Sequence, residues 1–273
     1  MKKLFMTSIM AGALFFAVHV GFAATLVTQW EYTNDATFTS FTQTPDGIST
    51  VRIEDAGKTL IWGDNTVPIN PNEQSSIVIG PAVSGTNLVT AISPAVPVAQ
   101  PVIQVTHFNN SIDASYRTLT SAVITATIDF SPFLPDDTAN LFQFSTTIDF
   151  YFFETLNANP TPDDIFVLKD PTATSGSFDF DGYTYSYVFS GGGFQNIEDV
   201  WGEAYSTYIT NNLPDDASVG QPYIGWVTTE DATTTAPFFV SISAAPIVPE
   251  PSTVLLLGAG LLGLGALGRR RTN

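Results

Sequence analysis

The sequence predicts an all-β outer domain, an antiparallel β-sandwich (jelly-roll-like or Ig-like), with an N-terminal signal helix and a short C-terminal transmembrane helix at its two ends. Three observations predict it. Apolar and polar residues alternate over long runs of the middle. Gly, Pro, Asn and Asp separate those runs at the short spacing of sandwich strands. Long, nearly unbroken apolar stretches stand instead at the termini, in Leu4 to Val20 and Val254 to Gly268.

Met1-Lys2-Lys3 places positive charge ahead of the first apolar run, and Gly21-Phe22-Ala23 puts small residues at positions −3 and −1 before Ala24. That pattern is a secretory signal (1–23) with cleavage between Ala23 and Ala24. An outer domain over 24–242 follows, then a linker, 243–248, and a tail, 249–273. The alternating face Phe142, Phe144, Thr146, Ile148, Phe150 and Phe152 marks a half-buried strand over Leu141 to Phe153. A loop over Pro132 to Asp137 joins it to the β-branched run Ala122 to Phe130. Asp181-Gly182 between Phe178–Phe180 and Tyr183–Phe189 is a hairpin signal. Further strands are expected at Ser49–Ile53, Thr59–Trp62, Ser76–Ile79, Ile103–His107, Ile165–Leu168, Tyr223–Thr228 and Phe238–Ile242. Asn196 to Tyr208 allows a short helix with Val200, Trp201 and Tyr205 inward, and the prolines of Pro81 to Pro101 suggest a long connection or edge.

The chain of 273 residues carries a net charge of −17, with 13% charged, 44% hydrophobic and 12% aromatic residues, too apolar for a disordered chain. Only Arg52, Lys58, Arg117 and Lys169 are basic between the ends, against every acid except Glu250. So acidic a middle repels phosphate backbones and excludes nucleic-acid binding. The absence of cysteine removes disulfides, thiolate nucleophiles and the commonest zinc patterns.

Val254 to Gly268 makes a helix of about 22 Å, shorter than a hydrocarbon core of about 30 Å, so it spans only with local thinning. Arg269, Arg270 and Arg271 hold its end on the cytoplasmic side and leave the domain outside. The tail as a whole resembles the PEP-CTERM sorting signal of Gram-negative bacteria, through Pro249-Glu250-Pro251, a Gly/Leu-rich helix and a terminal arginine cluster. The resemblance implies recognition, and cleavage near the triplet, by an exosortase, after export by the Sec machinery and signal peptidase.

Thr106-His107-Phe108-Asn109 resembles the signature of the THxN family of PEP-CTERM proteins. Thr59–Gly63, Gln74–Ile79, Asp164–Leu168 and the region around Trp226–Glu230 support the match. The resemblance implies placement in the envelope rather than an activity.

No catalytic constellation is legible, and the expectation is a protein without enzymatic activity or required cofactor. His107 is the one histidine left after signal removal, and the expected role of Thr106, His107 and Asn109 is to hydrogen-bond backbone at a strand end. Asp163, Asp164, Asp179, Asp181, Asp215 and Asp216 are hard oxygen ligands for extracellular Ca²⁺, with Asp179 and Asp181 singled out. Trp30, Trp62, Trp201 and Trp226 could stack on sugars if exposed. The leading expectation is a structural or interaction component of an exopolysaccharide layer. A carbohydrate-binding module and a glycoside hydrolase using paired carboxylates are the alternatives.

Overall fold

The computed structural model describes residues 24–64, 73–92, 94–137, 139–155, 161, 163–171, 175–191, 193–215, 217 and 219–247. The signal segment up to Ala23, the triplet Pro249-Glu250-Pro251, the tail helix, and Arg269, Arg270 and Arg271 lie outside these residues. Among the described residues no helix is long and apolar enough to cross a membrane.

The described chain is all-β apart from a 3-10 turn at Asp55–Gly57 and two short α-helices. In order, its strands are β1 (Gln29–Gln43), β2 (Arg52–Glu54), β3 (Thr59–Gly63), β4 (Gln74–Ile79), β5 (Val83–Ile92), β6 (Gln100–Asn109) and β7 (Leu119–Leu134). They continue with β8 (Phe142–Phe153), β9 (Asp164–Leu168), β10 (Ser175–Phe180), β11 (Tyr183–Gly191) and β12 (Gln195–Asn196). After α1 (Ile197–Trp201) and α2 (Glu203–Asn212) come β13 (Ile224–Thr228) and β14 (Ala232–Pro246).

Hydrogen bonding orders one sheet as β12-β13-β9-β8-β7-β1-β5, and the other as β2-β3-β4-β6-β14-β11-β10. Their inner faces meet. Phe130 of β7 packs 5.4 Å from Tyr187 of β11, and Phe142 of β8 stacks 4.7 Å from Phe178 of β10, between ring centroids. Period-two alternation produces this: β1 buries Trp30, Tyr32, Asn34, Ala36 and Phe38 and turns the residues between them outward. A buried apolar side chain such as Phe38 contributes roughly 1.5–3 kcal/mol.

Two features depart from the sequence expectation. Val83 to Ile92 is a strand, not a connection: its first part pairs with β1, and Thr90–Ile92 run parallel to Ile242–Ala244 of β14. β5 therefore joins the two sheets and makes one pairing of an otherwise antiparallel fold parallel. The other departure is β14, which continues through Pro246, so residues 243–246 are strand rather than linker. They pair with Tyr183–Ser186 of β11, whose aromatic run supplies the partner edge. The sheets are also larger than those of a constant-type Ig domain. In the helical segment Ile197 and Tyr205 are buried but Val200 is exposed, because α1 ends at Trp201 and Gly202 (φ 97°) turns the chain into α2.

The Asp181-Gly182 turn has φ 43° and 81°, the left-handed pair that closes a two-residue hairpin. Both ends of the described chain converge there. Thr25 donates its N–H to Asp181 Oδ2 (3.1 Å), and Ile247 donates to the Gly182 carbonyl (2.8 Å). The opposite end of β14, at Ala232, lies beside Asn109. Fourteen residue steps of strand separate the two ends, about 46 Å.

Candidate functional site

The pole remote from both chain ends gathers the polar groups that the interior leaves unexplained. On β6, period two turns His107 and Asn109 inward together, while Thr106 faces out and its hydroxyl hydrogen-bonds Thr235 (3.0 Å). On β13 the same period turns Trp226 and Thr228 inward. Gly225 lets this strand close on β9, because a Cβ there would stand 2.0 Å from the Phe166 carbonyl oxygen.

His107 is fully buried. Its Nδ1 hydrogen-bonds the Thr228 hydroxyl (2.8 Å), its ring stacks on Trp62 (5.4 Å between centroids, 23°), and Phe152 and Phe166 meet it edge-on. Desolvation pushes the imidazole down from 6.5 to about 3, so it is neutral, and Nε2 has no partner. A histidine enclosed this way touches no substrate. Asn109 donates through Nδ2 to the carbonyls of Thr228 and Thr229 (both 3.3 Å), tying β6 to the turn that carries the chain from β13 to β14.

Beside this cluster stand three carboxylates. Glu154 follows β8, Asp164 opens β9 and Glu230 lies in the β13–β14 turn, and one oxygen of each lies within 4.8 Å of the others. Asp164 is wholly buried, while Glu154 and Glu230 are partly exposed. Trp62 Nε1 donates to Glu154 (3.2 Å), and the Thr155 N–H donates to Asp164 Oδ1 (3.1 Å). Burial first, and the neighbouring Asp164 next, push Glu154 well above the usual carboxylate range. Burial, with the Glu230 charge adding to it, lifts Asp164 to about 8 against the pull of the Thr155 N–H, and Glu230 is raised chiefly by burial.

Of the described aspartates singled out from sequence, Asp164 alone belongs to this cluster, and Asp216 lies outside the described residues. Asp179 at the end of β10 accepts from the Thr184 hydroxyl (2.6 Å), and Asp181 in the turn accepts from the Thr25 N–H, so both lie at the far pole, away from this cluster. Asp163 accepts from Tyr205 (2.6 Å). Trp30, Trp62 and Trp226 are buried and unavailable to sugars. The stretches that accompany the Thr-His-any-Asn signature converge on this pole: β3, β4 and β6 adjoin in one sheet, β9 and β13 in the other. Sequence reasoning missed Glu154, which has no local motif.

The buried imidazole makes stability pH-dependent. A depressed folded-state pKa means that the unfolded chain binds the extra proton between pH 6.5 and 3, so stability falls as pH falls through that window. In chelator, the wild type is expected to lose stability relative to His107→Gln by up to about 1.4 kcal/mol per pH unit there. Urea unfolding at a series of pH values measures it, and parallel curves would contradict a neutral buried imidazole.

Comparison with curated proteins finds no match. Residues 248–271 match the family model described as the PEP-CTERM protein-sorting motif. The match begins right after Ile247, the residue whose backbone closes the last strand onto the Gly182 turn. Behind its all-β domain the chain thus carries a PEP-CTERM sorting motif, which marks it as an exported protein sorted by an exosortase.

Proposed function

We propose that this is a non-enzymatic member of the THxN group, whose acidic domain serves as a structural or interaction component of an exopolysaccharide layer. The Sec machinery and signal peptidase deliver it, the tail holds the precursor in the inner membrane, and exosortase processing hands it to the cell surface or beyond. The observation that carries this reading is the junction at Ile247. The sorting motif starts right after Ile247, whose backbone is fixed at the same turn as that of Thr25, and this supports a domain whose two ends are handed to processing from one corner.

The middle segment's four basic residues against its 25 acids keep the released domain soluble and dispersed. The lectin alternative loses its clearest support with three tryptophans buried, and a cavity of about 200 Å³ between the sheets is lined mostly by apolar groups such as Ile124, Phe150 and Phe238. The glycosidase alternative gains no support from this cluster, because Asp164 has no exposed surface to offer a sugar.

Mixing the secreted protein with extracellular polysaccharide from its own host tests the proposal by co-sedimentation. The protein is expected in the polysaccharide pellet, with no new reducing ends. Protein left wholly in the supernatant would contradict the matrix role, and release of reducing ends would contradict the non-enzymatic one.

A further inference from the structure

We infer that Glu154, Asp164 and Glu230 form a Ca²⁺ site that locks together the two sheets at the pole remote from the sorting tail. Three acidic groups at this spacing would repel one another, and among the described residues no ion pair reaches any of them. The neighbouring neutral groups point to a ligand independently. Asn109 is 1% exposed and stands against both Asp164 and Glu230. Its amide nitrogen is fixed by two backbone carbonyls, and its Oδ1 is buried without a partner. Thr155, 4% exposed and bonded through its N–H to Asp164, likewise buries an unpartnered Oγ1. Asp164 Oδ2 and both Glu230 oxygens are buried with no well-formed hydrogen bond; only the pull of the Asn109 amide on both carboxyls, and of Ser111 on Glu230, reaches them. Buried oxygens of this kind are ordinarily satisfied, and so many orphans in one place call for a cation.

The donor set selects the ion. It is all oxygen, three charged and two neutral, which suits a hard cation. Oxygens on opposite sides of Ca²⁺ at 2.3–2.6 Å stand about 4.6–5.2 Å apart, so carboxylate oxygens within 4.8 Å of one another already admit it. Glu154 is partly exposed, and water arriving on its side would complete the six to eight ligands Ca²⁺ takes. Glu154 and Asp164 belong to one sheet, Asn109 to the other and Glu230 to the turn between them, so the ion would clamp the sandwich across its layers.

The test uses the full-length protein in detergent, stripped of metal. At 10 mM Ca²⁺ the thermal midpoint is expected to rise by about 5 °C or more, given a dissociation constant of about 0.1 mM. Tb³⁺ is expected to luminesce on tryptophan excitation, because Trp62 contacts Glu154, and Ca²⁺ should displace it. Asp164→Asn and, separately, Glu230→Gln should each weaken Tb³⁺ binding at least tenfold; both are near-isosteric, and wild-type-like circular dichroism shows that either has folded. Absence of luminescence and of any Ca²⁺ shift in the wild type would overturn the inference. So would a folded variant of either kind that binds Tb³⁺ as tightly as the wild type.

Discussion

Trp30→Ala is expected to remove about 4 kcal/mol from the stability of the domain, read as a lower urea midpoint at unchanged slope. Trp30 has no exposed surface and meets five rings edge-on, from Tyr185 at 4.9 Å to Phe180 at 6.4 Å, drawn from both sheets. Its Nε1 also donates to Thr90 (3.0 Å), whose hydroxyl donates to the Val27 carbonyl (2.6 Å) and so fixes the first described residues to the sheet-switching strand β5. Truncation leaves a cavity among rigid rings that cannot collapse into it and takes from the Thr90 hydroxyl the N–H that it accepts. Against the 5–15 kcal/mol that usually holds a domain together, such a loss leaves little margin. Trp201, partly exposed at the end of α1, is the control, and its alanine variant should cost less than about 1 kcal/mol. Equal effects of the two substitutions would contradict the packing described.

The second large effect is on processing. Replacing Pro249 and Pro251 together by alanine, or Glu250 alone, is expected to cut the processed fraction at least tenfold in a host with an active exosortase, without changing export. The last described backbone hydrogen bond ahead of the triplet is that of the Ile247 N–H, and the motif match begins at the next residue. The two prolines set φ and disfavour helix in the residue before each, keeping the segment extended as a protease substrate must be. Immunoblotting of membrane and released fractions reads the outcome, and wild-type processing of the alanine variant would show that the triplet is not what is recognised.

Much of the fold was legible because alternation is a local property. β7, β8, the Asp181-Gly182 hairpin and the short strands at Thr59, Ser76, Ile165 and Phe238 are where their patterns put them. β1 was not legible, because Asn34-Asp35 in its middle reads as a turn. In the fold Asn34 is buried and donates to the Thr127 carbonyl (2.8 Å), and Asp35 forms an ion pair with Lys58, so tertiary partners satisfy what sequence suggests is a break. β5 was hidden between Pro81 and Pro94 for a similar reason. The strand at His107 was legible, but its continuation through Asn109, which turns both side chains inward, was not. Nor was the carboxylate cluster, since Glu154 follows β8, Asp164 opens β9 and Glu230 lies in the β13–β14 turn, and they meet only through the register of β8 with β9 and of β9 with β13.

The most direct test of the whole account is intact-mass measurement of the native protein recovered from the envelope and culture medium. The account predicts a chain that begins at Ala24 and ends upstream of Val254, with the apolar tail and Arg269-Arg270-Arg271 gone. A cytosolic protein still running from Met1 to Asn273 would contradict it.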